Sequence, residues 1–113
     1  MTIEEYIIDY LGNALSVPVS GSVPHTAPAE FVTVEKTGSG QTGRIDRATV
    51  AVQSWSSSRA AAAALNELVK AAMLAAISEP EISSVQLNSD YNYTDLTMDR
   101  PRYQAVFEIV YLF

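Results

Sequence analysis

The single histidine, His25, sits among Pro24, Thr26 and Pro28. As a general base it would need a nucleophile and an orienting acid beside it, and its neighbours offer only Thr26. It therefore reads as a surface loop residue. The chain has no cysteine, which excludes thiol nucleophiles, disulfides, thiolate zinc sites and iron–sulfur clusters. Asp90, Asp95 and Asp99 do not have the alternating spacing and terminal Glu of an EF-hand calcium loop, so they read as solvated turn acids. No carboxylate pair stands in the apolar setting that acid–base chemistry requires. The residues thus predict no catalytic group, no metal ligand and no cofactor site.

Gly38-Ser39-Gly40-Gln41-Thr42-Gly43 matches G-x-G-x-x-G letter for letter. A dinucleotide site needs a helix immediately after such a run, because the helix N-terminus holds the pyrophosphate. Here the following residues, Ile45 to Trp55, alternate as a strand, and no Lys-Ser/Thr completes a P-loop. The run reads instead as the tip of a hairpin, a mobile loop from Thr37 to Arg44 of the kind that contacts partners. Arg44 and Arg47 flank Asp46 at its foot, and Arg100 and Arg102 flank Pro101 beside Asp99. Two roles suit these arginines: weak ion pairs at hairpin ends, or an interface, where Arg is enriched. Trp55 reads as a packing anchor at a strand-to-helix junction.

The elements that would position these residues follow from periodicity. Thr2 and Glu5 form a T-x-x-E capping box, and Ile3, Tyr6, Ile7, Tyr10, Leu11 and Ala14 then recur at helical spacing. Three of the five prolines, Pro18, Pro24 and Pro28, make the next stretch an extended edge segment or loop, with Val17 and Val19 able to form a short edge strand. Glu30–Lys36 and Ile45–Trp55 read as strands. Ser56 to Ser58 cap a helix that runs to about Ile77, ahead of Pro80. Its buried stripe is expected at Leu65, Leu68, Val69, Ala72, Met73, Ala76 and Ile77, with Asn66, Glu67 and Lys70 wet and Leu74 out of place among them. Ser84–Tyr93 alternates, with Val85, Leu87, Ser89, Tyr91 and Tyr93 on one side. Tyr103–Phe113 is apolar on both sides, so it lies centrally or meets a partner. The order predicts an α+β domain over residues 1–113: an antiparallel four-stranded sheet with two helices on one face and a short Pro-containing edge segment.

Composition narrows the function. The net charge is −6, which argues against a broad grip on nucleic acid, because phosphate binding needs clustered Lys and Arg. The hydrophobic share of 48% includes fifteen alanines, five of them in the run Ala60–Ala64, so the core must come from larger side chains. No basic n-region marks a signal peptide. The longest apolar candidate, Ala60 to Ile77, is interrupted by Asn66, Glu67 and Lys70, so no membrane span is expected.

Several features align with one family: Val17-Pro18-Val19, Pro28-x-x-Phe31-Val32-x-Val34, a Gly-rich break, and Asp46-x-Ala48-x-Val50-x-Val52-Gln53-x-Trp55. Ser58-Arg59 and an Ala-rich helix follow, and the chain closes with Asp99-x-x-Arg102-Tyr103 and an aromatic strand. Over nearly its whole length the chain resembles the tail terminator, or tail completion, proteins of long-tailed bacteriophages and prophages. The resemblance implies an α+β subunit of a homo-oligomeric ring, commonly hexameric. Such a ring caps the tail tube protein, meets the head–neck connector and has no catalytic residues. It implies assembly in the bacterial host cytoplasm, a final place in the virion tail, and a negative lumen through which DNA passes without specific binding. The alternatives are another neck or head–tail joining component of similar fold, or a small ligand-binding α+β domain. Gly38, Gly40, Gly43, Arg44, Arg47, Leu74, Arg100, Arg102 and Phe113 are the candidate interface residues.

Overall fold

A computed structural model describes residues 1–113. Helix α1 spans Ile3–Ala14 and starts at the capping box, where Thr2 Oγ1 accepts from the Glu5 amide at 3.1 Å and the Thr2 amide donates to Glu5 Oε1 at 3.2 Å. Strand β1 is Val19–Ser20, β2 is Phe31–Thr42 and β3 is Ile45–Trp55. Helix α2, Arg59–Ala75, is capped by Ser58 and ends in a 3₁₀ turn at Ala76–Ser78. Strands β4, Ile82–Asn92, and β5, Arg102–Tyr111, follow.

The strands form one sheet in the order β1-β2-β3-β5-β4, antiparallel except for β1 on β2. Val32, Val34, Ala48, Val50, Val52, Ala105, Phe107 and Ile109 point from one face into a core closed by α1 and α2. Ile3, Ile7 and Leu11 enter it from α1; Leu65, Val69 and Met73 enter it from α2. The molecule is α+β with both helices on one side, as the periodicity predicts. The sheet has five strands rather than four. The edge segment joins as β1, pairing Val19 with Val32 and Ser20 with Thr33. Its direction is parallel because residues 21–30 carry the chain back across before β2 begins, a crossover that parallel neighbours require.

The loop expected from Thr37 to Arg44 is mostly strand. Strand β2 runs on to Thr42, which pairs with Ile45, so the connection is the two residues Gly43 and Arg44. Gly43 has φ +65, and Arg44 is not in the positive-φ region. Positive φ at the first loop position alone is the signature of a type II′ hairpin, which glycine accepts without strain. A bulge at Thr37, between Lys36 and Gly38, absorbs the offset between the regular strand and its Gly-rich extension.

Strand β4 also departs from clean alternation. Leu87 pairs with Phe107 and Ser89 with Val106, so one residue is extra. A bulge of one residue moves every later side chain to the opposite face. Asp90 therefore faces α2, while Tyr91 faces away from the helices. Asp90 Oδ2 accepts from Asn66 Nδ2 at 2.9 Å and from Lys70 Nζ at 3.0 Å. This corrects the expected helix stripe: Asn66 is 2% exposed beside Ala62, Leu65, Val69 and Met73, whereas Leu68 is 60% and Ile77 50% exposed. Arg59–Ser78 is 20 residues long with mean hydropathy 1.5, enough by length and composition to cross a membrane; in this fold one side of it packs on β3, β4 and β5.

Replacing Asp90 leaves the buried Asn66 amide without its acceptor, so Asp90→Ala is expected to cost about 1–3 kcal/mol in urea unfolding. Glu67→Ala removes only the exposed partner of Lys70 and is expected to cost no more than about 0.5 kcal/mol.

Candidate functional site

The two long hairpins close at opposite ends of a molecule measuring 43 × 24 × 24 Å. Eleven-residue strands at about 3.4 Å per residue account for the long dimension. The end of the β2–β3 hairpin, Gly38 to Thr49, forms an arm: β5 stops pairing at Tyr111, opposite Asp46, and the last pair, Thr42 with Ile45, passes its end. The arm brings together Gly38, Gly40, Gly43, Arg44 and Arg47. A Cβ at Gly40 or Gly43 would meet nothing within 4 Å, so these glycines border open space. Ile45 is 47% exposed.

The arm also concentrates positive charge. The chain has seven cations. Lys70 pairs with Glu67 and Asp90. Arg100 lies over the Phe31 ring at 5.0 Å, and Arg102 is held between Trp55 at 4.8 Å and Tyr93 at 4.2 Å. Of the four that remain, Lys36, Arg44, Arg47 and Arg59, three belong to the β2–β3 hairpin, and none forms an ion pair.

A groove of about 740 Å³ opens at the same end, between α1, the segment after the 3₁₀ turn, and the residues beyond β5. Its apolar wall includes Tyr6, Tyr10 and Phe113, with Phe113 packed 5.1 Å from Tyr6 and 4.7 Å from Tyr111 between ring centroids. Its acidic wall is Asp9, Glu79 and Glu81. Tyr6 donates to Glu81 Oε2 at 3.2 Å and Tyr10 donates to the Ala72 carbonyl at 2.7 Å. Burial raises both phenols; the hydrogen bond to Glu81 and the charges of Glu81 and Glu79 help push Tyr6 to about 12.

The sheet face away from the helices carries a hydrogen-bonded row across all four long strands. Trp55 Nε1 donates to Thr33 Oγ1 at 3.0 Å, and Thr33 donates to Gln53 Oε1 at 2.7 Å. Gln53 Nε2 donates to Gln104 Oε1, and Gln104 Nε2 donates to the Tyr91 hydroxyl, both at 2.6 Å. Arg100 and Arg102 close the end of this row over a Phe31–Trp55 stack with centroids 5.3 Å apart. Both arginines are thus tied to aromatic faces of their own chain and to carbonyls of Pro28 and Tyr93. His25 is exposed, and no three acidic or imidazole groups come together where they could hold a metal ion.

Leu74 is 45% exposed and shares the outer side of the α2 region with Leu68 and Ile77 and with exposed Ala60, Ala64, Ala71 and Ala75. Glu67 is the exposed charge in the middle of that surface. Periodicity assigned Leu68 and Ile77 to the core and so concealed the patch. The groove was equally hidden, because it joins residues 6–10, 79–81 and 113. The polar row had a visible trace: Thr33, Gln53 and Gln104 interrupt otherwise apolar strands. Comparison with known protein families and with curated proteins found no match.

The Tyr6 shift has a consequence at alkaline pH. In the unfolded chain the phenol ionises near 10, and in the folded chain near 12. The folded state holds the proton more tightly, so the stabilisation is complete below pH 10 and vanishes as the pH rises to 12. Urea unfolding from pH 9 to 12 is expected to show wild type losing stability relative to Tyr6→Phe across that window; parallel curves would contradict the assignment.

Proposed function

We propose that the protein is a structural virion assembly subunit, a phage tail terminator. On this reading it self-associates into a ring, caps the tail tube and offers a surface to the head–neck connector. It assembles in the bacterial host cytoplasm and remains in the virion tail. The observation that carries the reading is the helix surface of Leu68, Leu74 and Ile77, exposed by 60%, 45% and 50% amid alanines. Large apolar side chains exposed along one helix are what an interface covers. The specific role comes only from the resemblance of the chain's element order and scattered residues to the terminator family.

Two further features support it. A ring needs different patches on the two sides of each subunit, and this subunit offers a basic arm, an apolar helix side and an open β4 edge. The net charge of −6 suits a lumen that DNA must leave, since like charges do not condense.

Negative-stain images of the purified protein are expected to show rings of uniform diameter. Leu68→Glu combined with Leu74→Glu is expected to abolish them while leaving the circular dichroism unchanged. Fluorescence anisotropy with duplex DNA at low salt is expected to detect no tight binding. Strictly monomeric particles, or a tight and salt-sensitive DNA affinity, would refute the proposal.

A further inference from the structure

The arm and the groove are complementary, yet they do not meet within one molecule. The arm carries Arg44 and Arg47 without ion pairs, next to an Ile45 that is 47% exposed. The groove offers Asp9, Glu79 and Glu81 opposite the aromatic wall of Tyr6, Tyr10 and Phe113. Among the residues of one chain, neither arginine forms a salt bridge with any of these carboxylates. Only the last pair of the arm, Thr42 with Ile45, and its type II′ turn pass the end of β5, so Arg44 sits at the free tip while Arg47 lies just behind it, opposite Val110.

We infer that the acidic aromatic groove of one copy receives the basic β2–β3 arm of a second copy. Three properties of the groove select that occupant over an anionic or purely apolar one. Its carboxylates repel acids and attract guanidinium groups. Its rings give a planar cation a π face, and this pairing suits Arg better than any other side chain. Its volume of about 740 Å³ exceeds what one side chain fills and accommodates a hairpin turn together with an apolar neighbour such as Ile45. In an acidic chain, Arg44 and Arg47 are also two of only four cations that form no ion pair. The contact joins two different patches, so each copy has one arm to give and one groove to fill. This inference rests on the self-association proposed above and specifies which surfaces meet.

The test is charge reversal in the full chain, read as mass by size-exclusion chromatography with light scattering. Asp9→Arg with Glu79→Arg reverses the groove while sparing the Tyr6–Glu81 hydrogen bond, since neither residue makes a side-chain hydrogen bond or ion pair of its own. Arg44→Glu with Arg47→Glu reverses the arm. Each double variant is expected to assemble at least about tenfold more weakly than wild type, because like charges now face each other. Mixing the two variants in equal amounts is expected to restore assembly, since each arm again meets an opposite groove. Wild-type assembly unchanged by either reversal would overturn the arm-in-groove contact and leave self-association standing. Loss of assembly in both variants with no recovery on mixing would also overturn the contact. A wild-type chain that stays monomeric at every concentration would overturn both. Circular dichroism melting of each variant separates lost contact from lost fold.

Discussion

Strand β5 is apolar on its helix-facing side and mixes Val106 and Val110 with Gln104 and Glu108 on the other, and that constraint organises the rest of the molecule. Ala105, Phe107 and Ile109 are buried under the helices, while Val106 and Val110 on the other face are half-buried. A strand of this kind is costly at an edge, so β3 and β4 flank it, and β4 becomes the outer strand. Once β5 is central, the β2–β3 hairpin lies to one side of it and runs past its end. The same register that buries Phe107 opposite Val50 and Leu87 therefore carries the Thr42–Ile45 pair and its turn past the end of β5.

Charge placement follows a related logic. Lys70 is consumed in joining α2 to β4, and Arg100 and Arg102 are consumed in covering Phe31 and Trp55. Cations that stabilise the fold are thereby withdrawn from the surface. Three of the four left unpaired lie on the hairpin, while Asp9, Glu79 and Glu81 gather where α1 meets the end of the sheet. An acidic chain with one basic projection and one acidic aromatic recess is suited to contact between copies more than to the capture of polyanions.

Much of this was legible in the sequence, and the exceptions have physical causes. The capping box, the sheet-facing valines of β2 and β3, and the central place of β5 all follow from periods of 3.6 and 2. The arm looks like a loop in the sequence because Gly38, Gly40 and Gly43 have poor strand propensity, yet cross-strand pairing with Ile45–Thr49 overrides it. The faces of β4 after Leu87 and the place of Asn66 escape the sequence pattern for one shared reason. A single bulge turns Asp90 toward α2, and a buried Asn is acceptable there because Asp90 receives its hydrogen bond. Neither a bulge nor its partner is marked by composition. The groove could not be read at all, since it depends on tertiary proximity of three distant segments.

The proposed function requires that the protein associate with itself through surfaces that the isolated fold leaves uncovered. Sedimentation velocity of the wild-type chain over a hundredfold range of concentration tests this most directly. The expected result is conversion from monomer to one closed species of fixed mass, an integral multiple of the monomer, with salt weakening the association. A monomer sedimentation coefficient across the whole range would contradict it.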